Sequence, residues 1–126
     1  MKFYAGIDLH TRNSVVCVID QKERKLVTET APNDLPSILT LLEKVPRRPT
    51  VAIEATLSWY WLVDGLQEAG YKVKLAHTMG LYMITGAKVK TDRRDAFILA
   101  RLLRLDAIPE AYIYLPKGSK AYSGCA

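Results

Sequence analysis

Four acidic residues in this chain occupy positions from which carboxylates could bind metal ions together. Asp8 comes at the end of one apolar run, Glu54 ends another, and Asp92 and Asp95 open a segment with helical periodicity. A carboxylate at the C-terminal end of a buried strand is held at the rim of a sheet, and helical residues at i and i+3 share one face. Four carboxylates gathered there would repel one another, and hard cations with oxygen ligands are the usual way to neutralise them.

The chemistry that such a group supports is phosphodiester cleavage. Two divalent ions about 4 Å apart activate the nucleophile and neutralise charge at the leaving oxygen, and they need several carboxylates, one of them bridging. On this hypothesis Asp8 bridges the two ions and Glu54 binds one of them, while Asp92 and Asp95 hold the other. Because every ligand is an oxygen, we expect Mg²⁺ or Mn²⁺.

Each acid also has an interpretation without metal. Asp8 could cap the turn that follows its strand, and Glu54 could be a solvated strand end. Asp92 and Asp95 could simply stabilise the positive end of the helix dipole and pair with the neighbouring arginines. The joint placement of the four acids on the predicted order of elements favours the metal-binding interpretation.

The position of the first acid, Asp8, depends on three predicted strands near the start of the chain. Taken together, residues 3–8, 14–20 and 24–30 are rich in β-branched side chains, and short polar turns separate the three segments. Both turns are short enough for antiparallel hairpins. The sequence therefore predicts a three-stranded antiparallel meander with Asp8 at the tip of its first strand.

A helix is predicted next. Asn33 or Asp34 can cap it, Pro36 is tolerated in its first turn, and leucine and isoleucine residues supply an apolar stripe as far as about Lys44.

The position of the second acid, Glu54, depends on the elements that follow this helix. A strand is predicted at 50–54, a helix at about 59–68 and a strand at 71–76. Thr56 or Ser58 can cap the helix, and Gly70 is typical of a helix end. The predicted order of elements is β-β-β-α-β-α-β, which indicates an α/β fold.

The last two acids lie on a helix predicted at 91–104, with Thr91 as its N-cap. Asp92 and Asp95 fall on its apolar side, and its arginines fall on the other. Residues 77–91 are predicted to form a partly helical, mobile loop. After residue 108 the composition is that of a linker or truncated tail, so the prediction is one domain of residues 1–108 followed by a tail of residues 109–126.

Charge favours a polyanionic partner. The net charge is +5, and residues 1–71 carry 8 basic and 9 acidic side chains while residues 72–126 carry 10 and 4. Nucleic acid is the most plausible partner for that asymmetry. The basic residues beside the acids are the candidates for phosphate contacts: Lys88, Lys90, Arg93 and Arg94.

Other side chains have a structural interpretation. Trp59, Tyr60 and Trp61 could stack on bases or lie at an interface, but they are expected in the core. His10 and His77 could assist proton transfer, but they are expected to be structural or solvated. Arg101 and Arg104, further along the last helix, could contact phosphates or form a solvated face. The two cysteines have neither the number nor the spacing of a disulfide framework or a zinc site. With no signal segment or membrane-length apolar run, the sequence predicts a cytoplasmic protein without membrane contact.

Three blocks of the sequence resemble a known family. Gly6-Ile-Asp8-Leu-His10, Ile53-Glu54-Ala-Thr56 and Lys88-Val-Lys-Thr-Asp92-Arg-Arg-Asp95-Ala96 are similar to successive blocks of the DEDD transposases of the insertion sequence 110 and 116 type. The relatives include the Piv-type DNA invertases. The resemblance spans roughly residues 3–104, and its third block is far more specific than its first.

This resemblance implies a RuvC-like version of the ribonuclease H fold, a mixed sheet with flanking helices. It also implies a D-E-D-D tetrad that binds divalent metal, carried here by Asp8, Glu54, Asp92 and Asp95. Family members are site-specific DNA recombinases that act as dimers or tetramers, and several use a structured guide RNA. They continue into a second domain with a nucleophilic serine, to which nothing here corresponds, so an N-terminal fragment of a transposase is expected.

Two alternatives differ in function. The chain could be a nucleic-acid-binding module or transposase remnant without catalysis, or a phosphate-transferring ATPase or sugar kinase of the actin-like fold. The last class needs a glycine after the aspartate so that backbone can approach phosphate, and Leu9 and His10 stand there instead. It therefore ranks last.

Overall fold

Five strands form one mixed sheet in the order β3-β2-β1-β4-β5. The computed structural model describes residues 2–54, 59–77 and 92–111, with only the backbone at 92–94. The strands are β1 Phe3–Leu9, β2 Asn13–Asp20, β3 Lys25–Pro32, β4 Thr50–Glu54 and β5 Val73–Ala76. The first three form an antiparallel meander, while β4 pairs parallel with β1 and β5 parallel with β4. The predicted mixed sheet and its meander are confirmed.

Three helices flank the sheet: α1 Leu35–Leu42, α2 Tyr60–Glu68 and α3 Asp92–Arg104. Asp34 is the N-cap of α1, because its side chain accepts a hydrogen bond from the Ser37 backbone N–H at 2.8 Å. The helix ends at Leu42, two residues before the predicted end.

The second helix begins after Trp59, which gives no side-chain cap, and the expected caps Thr56 and Ser58 lie outside the described residues. Gly70 has a φ of 91°, and its N–H donates to the Gln67 carbonyl at 3.0 Å while the Tyr71 N–H donates to that of Leu66 at 2.9 Å. This pair of bonds ends α2 in a Schellman motif, as glycine at that position predicts.

Strand alternation divides the core into two layers. Phe3, Ala5 and Ile7 of β1 point toward α1 and α2 and belong to the larger cluster. On the opposite face, α3 covers small clusters of side chains from β1, β2, β4 and β5. These clusters contain Val15, Cys17, Ile19, Ala52, Ala76, Ala96, Leu99, Ala100 and Leu103. Asp8 and Glu54 belong by alternation to this second face.

One aromatic prediction is wrong. Trp59 and Trp61 pack against the larger core cluster as expected, but Tyr60 is 54% exposed. Its ring stacks on that of Trp59, with centroids 4.0 Å apart. Tyr60 points outward because Leu62, Val63 and Leu66 occupy the inner face of α2.

The chain after α3 returns to the sheet. Asp106, with a φ of 55°, follows the end of α3, and Glu110 then forms an antiparallel bridge with Ala76 of β5. The His77 N–H donates to the Pro109 carbonyl at 2.6 Å, and the Ala111 N–H donates to that of Leu75 at 2.7 Å. Residues 109–111 thus lie along the outer edge of β5. The domain boundary at residue 108 stays a prediction, and residues 78–91 and 112–126 lie outside the described residues.

None of the helices in the described ranges combines the length and the apolar composition that a membrane crossing demands.

Candidate metal centre

Asp8 and Glu54 lie side by side on neighbouring parallel strands. Ile7 of β1 is level with Ile53 of β4, so the next residue of each strand reaches the same height at a strand spacing of about 4.8 Å. Both acids point to the face that α3 covers, and they are only 4% and 5% exposed. The sheet therefore brings two buried carboxylates together at its rim, as the sequence predicts.

Close contact between α3 and β1 fixes the height of the helix above these acids. A Cβ atom on Gly6 would lie 2.0 Å from the Ala96 carbonyl oxygen and 2.8 Å from the Ala100 nitrogen. Ala96 and Ala100 are themselves fully buried. The helix backbone thus rests directly on β1 because none of these positions has a large side chain.

The start of α3 lies at the same end of the sheet as Asp8. Arg104, at the other end of the helix, contacts Glu23 in the turn between β2 and β3. That turn lies at the beginning of β1, because Phe3 pairs with Asp20. The helix therefore runs antiparallel to β1, and its first turn, with the positive end of the helix dipole, reaches the rim.

Asp95 and Asp92 are carried by this first turn. Asp95 is half-buried and immediately precedes Ala96, the residue over Gly6. Asp92 is the first residue of α3, but its side chain lies outside the described part of the structure, as do those of Arg93 and Arg94. Lys88 and Lys90 lie outside it altogether.

No group of three or more potential metal ligands occurs among the side chains that the structure describes. The structure brings Asp8 and Glu54 together and sets the helix of the other two acids at their end of the sheet. Ligation by all four stays a prediction.

His10 contacts the first acid directly. Its Nε2 lies 2.8 Å from Oδ2 of Asp8, and its side chain is 39% exposed. The sequence predicts a structural or solvated role for His10, with proton transfer as the alternative because His10 is two residues from Asp8. This contact restricts the rotation of the Asp8 carboxylate at the rim.

Asn33 holds the turn that carries His10, a role that the sequence does not predict. Its Nδ2 donates to the His10 carbonyl at 2.6 Å, and its Oδ1 accepts from the Ser14 hydroxyl at 2.6 Å. Its backbone N–H donates to the Arg12 carbonyl at 3.2 Å. The sequence suggests Asn33 only as a helix cap, because bonds to a turn some twenty residues away leave no local pattern.

Arg101 and Arg104 are engaged far from the acids. Nε of Arg104 lies 2.9 Å from Oε2 of Glu23, and Nε of Arg101 lies 3.3 Å from the same oxygen. The sequence leaves two interpretations open for these arginines, phosphate contacts or a solvated face, and neither includes pairing with Glu23. The arginines fasten the far end of α3 to the β2–β3 turn.

Cys17 is the thiol beneath α3, directly opposite Gly6 on β2. Burial raises the pKa of Cys17, more than the Thr28 hydroxyl and the Lys25 ammonium lower it. A protonated, fully buried thiol fills space and is not a metal ligand.

The donor set fits a hard divalent cation. Asp8 and Glu54 offer only oxygen, and two adjacent buried carboxylates are costly without a positive charge. Oxygen ligands suit Mg²⁺ and Mn²⁺ better than the softer transition metals.

Comparisons with known proteins identify the family and the fold. The family model of the DEDD transposases of the insertion sequence 110 type, described as "Transposase", matches residues 5–115. Curated protein sequences give no match.

Two solved structures of Thermus thermophilus RuvC are similar. RuvC in complex with a Holliday junction substrate has a TM-score of 0.63 at 17% identity, over 88% of this chain and 100% of that chain. A second RuvC structure has a TM-score of 0.59 at 17% identity, over 86% and 99%. The likeness shows that the fold is the RuvC-like ribonuclease H fold.

Proposed function

The chain belongs to the DEDD transposases of the insertion sequence 110 type, and from that premise we propose that it cleaves DNA strands at a divalent metal centre. Its membership makes it a nuclease-like domain for DNA recombination. The proposal assigns the metal to a tetrad of Asp8, Glu54, Asp92 and Asp95.

One observation carries this proposal. Asp8 and Glu54 are level on adjacent parallel strands, buried, and on the face covered by α3. RuvC-like DEDD nuclease domains generally use divalent metals, and we propose two ions of Mg²⁺ or Mn²⁺ here. Ions held there would supply an activated nucleophile at neutral pH and would neutralise charge at the leaving oxygen.

The chain's own residues would position the reaction. β1 and β4 hold two carboxylates rigidly, and His10 restricts the rotation of Asp8 through the contact at Oδ2. The N-terminal end of α3 points its dipole toward the rim, which favours an anionic phosphate there.

DNA is the proposed substrate. The excess of basic residues in 72–126 supports this, and so does the similar RuvC structure, whose ligand is a Holliday junction. Lys88, Lys90, Arg93 and Arg94 would contact phosphates. The family resemblance extends the proposal to a structured guide RNA and to a dimer or tetramer.

The second candidate is a nucleic-acid-binding domain without catalysis. It is supported by the excess of basic residues in 72–126, which would bind phosphates whether or not the acids hold metal.

Manganese titration by calorimetry tests the proposal. We expect binding by the wild type, and a loss of at least about tenfold in affinity for Asp8→Asn and for Glu54→Gln, because each removes a charged ligand. Asp106→Asn is the matched control, since it removes an exposed acid, paired only with Lys74 in the described structure, at a positive φ that asparagine tolerates.

Cleavage of branched DNA is then compared in the same variants. Metal-dependent cleavage that both rim substitutions abolish supports the proposal. DNA binding without manganese binding or cleavage would support the second candidate instead.

A further inference from the structure

Four basic side chains surround a groove at the end of the sheet opposite Asp8. The groove has a volume of about 430 Å³, and its charged lining consists of Lys2, Arg47, Arg48 and Lys72. Among the described residues, none that lines it is acidic. All four cations are exposed.

Sheet topology brings these cations together from three separate segments. Tyr4 of β1 is level with Thr50 of β4, so Lys2 and Arg48 stand at the same height just before their strands. The Val51 N–H donates to the Lys72 carbonyl at 2.9 Å, which holds Lys72 beside the start of β4. The groove lies where the three parallel strands begin.

The four cations of the groove are unpaired within the described ranges, although Glu43 lines the neighbouring cavity together with Arg47 and Arg48. None of the four cations forms an ion pair with a described carboxylate, whereas cations elsewhere do. Those paired cations include Arg24, Lys44, Lys74 and Arg104. A cluster of exposed, unneutralised cations attracts a polyanion.

The guanidinium group of Arg48 is positioned by packing contacts and not by an ion pair with a described residue. The Arg48 guanidinium carbon lies 6.0 Å from the ring centroid of Tyr71. The guanidinium group also lies over Gly70, where an added Cβ atom would be 3.2 Å from Nη1 of Arg48. Its side chain is thus partly ordered before any ligand arrives, which lowers the entropic cost of binding.

We propose that this groove binds the phosphate backbone of duplex DNA as a second contact, remote from the metal centre. The inference rests on the proposed function in taking DNA as the substrate. Thr50 and Glu54 are four residues apart on β4, about 13 Å at roughly 3.3 Å per residue. That separation corresponds to about four base pairs at roughly 3.4 Å each, so one short arm of DNA can reach both ends of the sheet.

Phosphate is favoured over other anions by the kind of groups present. Long, exposed ammonium and guanidinium groups from separate segments suit a backbone of repeated charges and give no base-specific pattern. Binding there would be independent of sequence and would weaken with salt.

Fluorescence anisotropy with a labelled DNA duplex over a series of KCl concentrations tests the groove. The double variant Arg47→Gln with Lys72→Gln leaves Arg48 packed on Tyr71. We expect its affinity to fall about tenfold or more at low salt, and the salt slope to decrease by about 2, near 0.9 for each phosphate that the variant no longer neutralises. The control, Lys22→Gln with Lys25→Gln, removes the same charge from another surface.

Manganese titration should be the same in the wild type and both double variants, because the groove is remote from the acids. Thermal melts should be unchanged in the groove variant, while the control also loses the contact of the Lys25 ammonium with the Phe97 ring, 4.5 Å to its centroid. Equal losses of affinity in the two double variants would overturn the proposal, as would a wild type that binds no duplex. Preference of the groove for an acidic peptide or an RNA duplex would also overturn it. Failure of manganese binding alone would count against the metal centre and not against the groove.

Discussion

The carbonyl oxygen of Ala96 lies directly over Gly6, only 2.0 Å from where a Cβ atom on Gly6 would stand. The oxygen belongs to the helix backbone, so it cannot rotate away as a side chain would. Any side chain at position 6 must therefore push α3 off β1, and with it the turn that carries Asp95.

Substitution Gly6→Ala should accordingly destabilise the protein by about 1–3 kcal/mol or more, the usual cost of overpacking a core. It should also weaken manganese binding if Asp95 is a ligand. Urea unfolding and calorimetry measure the two effects.

Gly65→Ala is the matched control. A Cβ there would meet the Leu35 side chain at 2.5 Å, but that side chain is flexible, and alanine gains about 1 kcal/mol over glycine within a helix. We expect little net change in its free energy of unfolding. Equal destabilisation by both substitutions would contradict the argument.

Removal of the Asn33 side chain should loosen the turn that carries His10. Asn33→Ala leaves the fully buried Ser14 hydroxyl without its acceptor, at a cost of about 1–3 kcal/mol. We also expect weaker manganese binding, because His10 would no longer be held beside Asp8. Asn13→Ala, at an exposed position near the same turn, is the control, and an equal effect there would argue against a specific role for Asn33.

Asp20 should make stability depend on pH. Burial alone would raise the pKa of Asp20, but hydrogen bonds from the Arg24 backbone N–H, the Arg24 guanidinium and the Lys22 N–H hold it below its ordinary value. Since the folded pKa is depressed, its contribution to stability is present above the unfolded pKa of about 3.9 and is lost as pH falls through the folded pKa.

The variant Asp20→Asn should therefore be less stable than wild type at neutral pH, and the difference should shrink in acid. Urea midpoints measured from neutral pH to about pH 3 check this. A difference that stays constant with pH would show that charge on Asp20 is not involved.

Pairing of Glu23 with Arg104 should stabilise the far end of α3. Both side chains are only partly exposed, and we expect a coupling free energy of about 1 kcal/mol, decreasing with salt. A double-mutant cycle with Glu23→Asn and Arg104→Ala measures it, with asparagine chosen because it tolerates the φ of 64° at position 23. Zero coupling at low salt would mean that the contact contributes nothing.

Local patterns are sufficient to predict the elements of the described fold. The apolar run of β1, the β-branched runs of β2 and β4, the Asp34 cap and the glycine after α2 each act within a few residues. The register that sets Asp8 beside Glu54 can be predicted only from the family resemblance and the strand order. The sequence of either strand alone does not show which residue of the parallel neighbour it faces.

Contacts between distant segments are not predictable in this way. The need for glycine at position 6 arises from a helix ninety residues later, and the role of Asn33 from a turn about twenty residues earlier. The outward position of Tyr60 depends on how α2 rotates on the sheet, which periodicity in a short helix determines poorly.

Residues 109–111 cover part of the outer edge of β5, so an additional strand could not pair with that part of the sheet. Within the described ranges, β3 is the edge strand that no other strand covers. Two copies that joined through β3 would each use the one edge that the described residues leave uncovered, and those residues would then offer no further edge. Pairing of this kind favours a closed dimer over an open fibre.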